Sequence, residues 1–249
     1  MRREVGPALA VGAAAAAAYG LALGVGLYSD DYEWLGRMAP ALERPLYVFS
    51  VFYRDFNPLL HLSFLGDYLL GAGSPVALHA TSIAVHALCA FLLTLLCIRF
   101  SGPWLGACAA LTWAMNVRLS ETPIWPAARG HALATLFVLA ALLALGSRLP
   151  RKIPLATALF ALALLSKEVA FFPLLISPLF LPRDERRPRA LLPLGALAAA
   201  FVAFNLAFKS EYHTSPAPWS ELALKVPFIL LRPIEIGRAS CRERVCQYV

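Results

Sequence analysis

Apolar residues run along this chain in long blocks separated by short polar breaks, with no strand-like alternation inside them. Backbone polar groups in lipid must be satisfied within their own segment, and about 20 apolar residues at 1.5 Å each match a hydrocarbon layer about 30 Å thick. The pattern therefore predicts transmembrane helices. The first covers residues 7–28 and contains Gly20 and Gly24, a small-xxx-small step suited to close helix contact. Further blocks cover 76–98, 104–117, 131–146, 153–166, 169–182 and 190–208, giving an all-α, polytopic membrane helical bundle of about seven spans. Between the first two blocks, 29–74 mixes Trp34, Tyr47, Phe49, Phe52, Tyr53 and Phe56 with Arg37, Glu43, Arg44, Arg54 and Asp55, which predicts a long outer loop of interfacial helices. The stretch 59–70 is apolar but short and interrupted by His61 and Asp67, so it reads as re-entrant or interfacial. A short tilted span there would invert everything downstream.

Composition agrees with this class: 59% of residues are hydrophobic and 15% charged, at a mean hydropathy of +0.66, which excludes an ordinary soluble domain. The net charge of +7 does not call for nucleic acid, because the positive residues fall in short blocks between apolar segments. Arg2 and Arg3 place the N-terminus in the cytoplasm; a cleavable signal peptide is the competing reading, and either way Asp30 emerges outside. Seven spans then put Arg99, the block Arg148, Arg151 and Lys152, and the block Arg183, Arg186, Arg187 and Arg189 inside. Asp30, Asp31, Glu33, Asp55, Asp67, Glu121, Arg129, Lys167 and Glu168 collect on the outer face. Cys89, Cys97 and Cys108 lie in apolar segments, with no disulfide framework or zinc spacing.

From Glu235 the character changes abruptly. The run Glu235 to Val245 matches the translation of a common sequencing adapter, so 235–249 is expected to be a non-native read-through tail. Residues 1–234 are then expected to be the N-terminal part of a transmembrane domain whose C-terminal region is missing.

Four constellations carry candidate chemistry. Asp30 and Asp31 sit directly after the first span, where a charge near hydrocarbon costs roughly 2.5–3.5 kcal/mol and needs a reason. His79 and His86 share one face of the second span two turns apart; they line a polar cleft or bond to neighbouring helices, and metal ligation within one helix ordinarily uses i,i+4 instead. Glu121, Trp125, Arg129 and His131 fall in one outer turn stiffened by Pro123 and Pro126, although Arg129 could pair simply with Glu121. Lys167 and Glu168 interrupt two apolar blocks, either as an ordinary hairpin ion pair or as a lysine placed to hold a phosphate.

In this order, an acidic pair after the first helix, a long amphipathic outer loop, His-six-His, Glu-xxx-Trp-xxx-Arg-Gly and Leu-Leu-Ser-Lys-Glu, the chain resembles integral-membrane glycosyltransferases of the GT-C superfamily. It is closest to protein O-mannosyltransferase-like enzymes, especially the transmembrane kind followed by tetratricopeptide repeats. The resemblance covers roughly residues 28–173. It departs at Asn57-Pro58, where that kind has Arg-Pro, and at Ser82, where asparagine is usual.

The resemblance implies inverting transfer of a sugar such as mannose from a polyprenyl-phosphate donor to a hydroxyl of a protein, lipid or glycan acceptor. The reaction would face the periplasm or a lumen, here the periplasmic side of a bacterial inner membrane. Asp30 is the expected general base, with Asp31 second; Arg129 and Lys167 would meet the departing phosphate; His79, His86, Glu121, Trp125 and Glu168 would shape the pocket. No cofactor is required, and a divalent metal on the acidic pair stays open, two adjacent carboxylates being slight grounds for one. A membrane transporter, a lipid-linked polysaccharide polymerase or ligase, and a structural subunit are the competing readings.

Overall fold

The computed structural model describes residues 2–49, 56–182 and 188–212. Outer-loop residues Phe52, Tyr53, Arg54 and Asp55, the arginines Arg183, Arg186 and Arg187, and the 235–249 tail lie outside the described residues. Two units are distinguishable, Met1–Phe204 and Asn205–Val249. The second is described only over residues 205–212, which are helical. The candidate site residues all belong to the first.

Every regular element among the described residues is helical. Helix α1, Arg2–Ala18, passes into a 3₁₀ segment, Gly20–Gly24. Three short elements come next: α2, Asp30–Gly36; α3, Met38–Glu43; and a 3₁₀ turn, Pro45–Phe49. Helix α4, Pro58–Gly71, covers the stretch 59–70 and buries Leu60, His61, Phe64 and Asp67. Ala72 and Gly73 then turn the chain through the left-handed region, at φ +51° and +70°.

Helix α5, Pro75–Ser101, starts where sequence rules place a helix start. Ser74 caps it by accepting the Ala77 N–H at 3.3 Å, and Pro75 occupies the first turn. It ends at Gly102, φ +79°, and Pro103 opens α6, Pro103–Ala114. The remaining helices are α7, Glu121–Ile124; α8, Arg129–Leu145; α9, Lys152–Ser166; α10, Phe171–Ile176; and α11, Pro188–Tyr212.

Among the described residues three segments are long and apolar enough to cross a membrane: Glu4–Gly24, Pro75–Ser101 and Pro126–Leu145. Of the other blocks expected as spans, 104–117, 153–166 and 169–182 form shorter elements, and 190–208 lies in the 25-residue α11, whose apolar stretch is Leu191–Ala207. At 12 residues, α6 reaches only about 18 Å. The block expected over 169–182 breaks into a 3₁₀ turn, α10 and a second 3₁₀ turn, with Pro173 and Pro178 interrupting regular hydrogen bonding.

A second difference concerns the small-residue step. A Cβ added at Gly20 or Gly24 would meet nothing within 4 Å, so these glycines make no close helix contact. The close approach lies deeper in α1, where a Cβ on Gly12 would meet the Ala87 carbonyl oxygen of α5 at 3.2 Å. Between α5 and α6 it falls at Gly106, whose added Cβ would sit 2.6 Å from the Ile98 nitrogen.

Contacts at helix ends fix the directions. Arg99, near the end of α5, donates to the Leu143 carbonyl near the end of α8 at 3.2 Å, while Arg129 at the start of α8 donates to Leu78 at the start of α5. The two helices therefore run parallel. Tyr19, after α1, reaches the Ala114 carbonyl at the end of α6, and His86 of α5 reaches the same oxygen, so α1 and α6 run opposite to α5. One end of the helices thus carries Arg99, Arg148, Arg151 and Lys152. The opposite end carries the acidic pair, Asp67, Arg129, Lys167 and Glu168.

Candidate active site at the acidic pair

The chain reaches the acidic pair through Ser29, a non-glycine residue at φ +48°, ψ −114°, where L side chains rarely sit. This turn sends two adjacent carboxylates in opposite directions. Asp30 is exposed, and its Oδ1 accepts the Ser29 hydroxyl at 2.9 Å. Asp31 is only 1% exposed and accepts two backbone N–H groups, Tyr28 on Oδ2 at 3.0 Å and Ala127 on Oδ1 at 2.8 Å. The second bond spans 96 positions and ties the acidic pair to the turn before α8. Burial pushes the Asp31 carboxyl above the ordinary aspartate range, against the pull of both backbone bonds and of the Arg129 charge.

Arg129 has no exposed surface. Its Nη1 lies 2.6 Å from Asp67 Oδ2 and 3.1 Å from the Ser63 hydroxyl; Nε donates to the Ser82 hydroxyl at 3.0 Å and Nη2 to the Leu78 carbonyl at 2.7 Å. The guanidinium also lies 4.9 Å from the centre of the Phe64 ring. Asp67 in turn accepts the Thr81 hydroxyl at 2.5 Å. Expected to meet a phosphate, Arg129 instead clamps α4 and α5 to the start of α8, and a buried charge needs such partners. Ser82, the departure from the usual asparagine, is one of them.

The two histidines part company. His86 is packed between Tyr19 and Trp113, with its Nε2 on the Ala114 carbonyl at 3.0 Å, and belongs to the contact of α1, α5 and α6. His79 lies in the layer spanned by Arg129, between Leu78 and Ser82. It is 1% exposed, and neither ring nitrogen has a hydrogen-bond partner among the described residues. The indole Nε1 of Trp125 is likewise buried without one. The Trp125 ring meets Tyr28 edge-on, centroids 6.3 Å apart.

The chain matches no family model, curated protein or solved structure.

Lys167, in extended backbone after α9, stands 3.6 Å from the Glu168 carboxylate, with side chains 16% and 41% exposed. The hairpin adjoins the same layer, since a Cβ on Gly130 would meet the Ser166 carbonyl at 3.1 Å. Glu121 is exposed on α7. The acidic pair, the 125–130 turn and the start of the Lys167 hairpin are thus linked through named contacts, whereas His86 is held in packing one layer deeper.

Ser63 is a site-supporting residue that sequence reasoning did not single out, and Asp67 and Ser82, noted there as an interruption of an apolar stretch and a departure from the resemblance, were given no supporting role. Ser63 and Asp67 are four residues apart on α4 and so face the same way; that spacing around an aspartate in an apolar helix was the available signal. Among the described residues no group of three or more His, Cys, Asp or Glu is gathered as metal ligands would be.

Proposed function

We propose that this chain is part of a membrane glycosyltransferase that moves a sugar from a polyprenyl-phosphate donor to an acceptor hydroxyl at the outer membrane face. The observation that carries the reading is the bond from Ala127 N–H to Asp31, because it joins the acidic pair to the outer turn that the resemblance assigns to the same pocket. In this reading α6, α9, the 168–180 segment and α11 cross together with the three segments Glu4–Gly24, Pro75–Ser101 and Pro126–Leu145, about seven crossings in all. Arg99, Arg148, Arg151 and Lys152 at one end favour a cytoplasmic location for that end, which turns the acidic pair toward the periplasm of a bacterial inner membrane.

The chemistry follows from the roles available. An acceptor hydroxyl is a weak nucleophile and needs a base at the moment it attacks the sugar. Asp30 is the exposed carboxylate and takes the proton as the acceptor oxygen bonds to the anomeric carbon. The bond from that carbon to the phosphate oxygen breaks, and its electron pair leaves on the polyprenyl phosphate. Lys167, beside a half-exposed Glu168 that a phosphate could displace, meets the growing negative charge. Asp31 and Arg129 hold the frame rather than the substrate.

Reconstitution of the chain in liposomes with a panel of polyprenyl-phosphate sugars and hydroxyl acceptors tests this. Glycosylated acceptor appearing together with free polyprenyl phosphate is the expected result; no product from any donor contradicts it.

A further inference from the structure

We propose that the turn between α8 and α9, at the end of the helices opposite the acidic pair, binds the phosphate of an anionic phospholipid. The turn bounds a cleft of about 640 Å³, a volume within the range of small-ligand sites. Arg148 and Lys152 give the cleft its charge, while Leu149, Ile153, Pro154 and Pro182 give it apolar walls. Among the described residues that line it, none is acidic.

The positive groups come from three places. Lys152, in the first turn of α9, is only 7% exposed, which is rare for a lysine, and its Nζ donates to the Ser147 carbonyl at 3.1 Å. Arg148 is exposed on the turn itself. Arg99 adjoins the same wall from the end of α5, since a Cβ on Gly146 would meet its Nη1 at 3.0 Å. Glycine at 146 therefore lets the guanidinium approach the cleft. The bond from Arg99 to the Leu143 carbonyl uses one of five guanidinium donors.

The rest of the surroundings favour a lipid over a soluble anion. A phosphate ester matches the cations, and the glycerol and first methylenes of a phospholipid match the apolar walls. The Pro182 wall is joined to the end of α5 by Phe180, which meets Phe100 edge-on at 6.2 Å. Phe100 and Trp104, where α5 passes into α6, are 74% and 87% exposed, as aromatic residues at a bilayer surface are. Basic pockets between helices at the cytoplasmic face are suited to phospholipid head groups. The inference takes from the reading above only that the chain lies in a bilayer with this end at its surface, and it does not depend on sugar transfer.

The full chain is reconstituted in vesicles of phosphatidylcholine and phosphatidylglycerol, extracted in mild detergent, and weighed by native mass spectrometry with its retained lipid. Phosphatidylglycerol should be kept in preference to phosphatidylcholine. Arg148→Gln should weaken its retention roughly fivefold, as expected for one charge near a lipid surface. Gly146→Ala, which presses on Arg99, should weaken it too, whereas Arg44→Gln, an exposed charge in the 29–49 segment, should leave it as in wild type. Equal retention of the two lipids, no effect of Arg148→Gln, or an equal effect of Arg44→Gln overturns the site. Inorganic phosphate that binds the chain alone and displaces the lipid would assign the cleft to a soluble anion and overturn the lipid proposal. Selective retention in a wild-type chain that transfers no sugar would support the lipid site and remove the transferase reading.

Discussion

Asp31 accepts the backbone N–H of Ala127 at 2.8 Å across 96 positions, and this bond holds the acidic pair against the turn that begins α8. The carboxylate serves two backbone donors at once, one on each oxygen. Asp31→Asn keeps the size but has a single acceptor oxygen, so one backbone N–H loses its partner and faces an amide N–H₂. A loss of about 1–3 kcal/mol in local stability is the consequence. Amide hydrogen exchange at Ala127 and Tyr28 measures it: one or both should exchange faster in Asp31→Asn, and unchanged protection at both would refute the role.

The Arg129–Asp67 pair gives a second expectation. Both side chains are almost fully enclosed, at 0% and 6% exposure, so removing one partner strands the other charge. Arg129→Ala should cost about 3–5 kcal/mol, whereas Arg129→Met with Asp67→Leu should recover much of it. Detergent-solubilised thermal unfolding of the single and double variants decides; a double variant no better than the worse single would contradict the buried-pair account.

The glycines separate two classes of small-residue position. A Cβ at Gly106 would press on the backbone of Ile98, which cannot swing aside as a side chain does. Gly106→Ala should therefore destabilise the α5–α6 hairpin by about 1–3 kcal/mol. Gly20→Ala, where a Cβ meets nothing, should stay within about 0.5 kcal/mol. Equal effects in the same unfolding assay would show that α5 and α6 do not approach at Gly106.

His61 links pH to stability. Its Nδ1 lies 2.6 Å from the Val48 carbonyl and donates there, and burial, the largest influence, pushes the imidazole below the ordinary histidine range. The folded protein binds this proton less readily than the unfolded chain. Stability is therefore full above about pH 6.5, the unfolded value, and falls as pH drops through it toward the folded value. An acid limb in thermal stability that disappears in His61→Phe is expected; a limb unaltered by that substitution would assign it to another group.

How far this site could be read in advance depended on whether its partners were near in sequence. Positive residues clustered at alternate breaks predicted that the acidic pair, the Glu121 turn and the Lys167 hairpin share one end, because charge placement is a property of each break alone. The fate of Arg129 was not legible: its acceptors Asp67, Ser63 and Ser82 come from two other helices, and a lone aspartate in a short apolar helix reads as an interfacial interruption. The divergence of His79 and His86 was hidden for the same reason, since their shared helical face says nothing of which neighbour covers each turn. Helix starts such as Ser74-Pro75 were local and readable. Span lengths were less so, because Pro173 and Pro178 break a block whose composition is uniformly apolar.

Replacement of the exposed carboxylate tests the central claim most directly. Wild-type chain and Asp30→Asn, reconstituted at matched insertion, are compared for sugar transfer from a polyprenyl-phosphate donor to a hydroxyl acceptor. A general base in this position contributes typically about 10²–10⁴-fold, so Asp30→Asn should lose transfer by at least about a hundredfold while Ala127 amide protection stays as in wild type. Full transfer by Asp30→Asn would contradict the account.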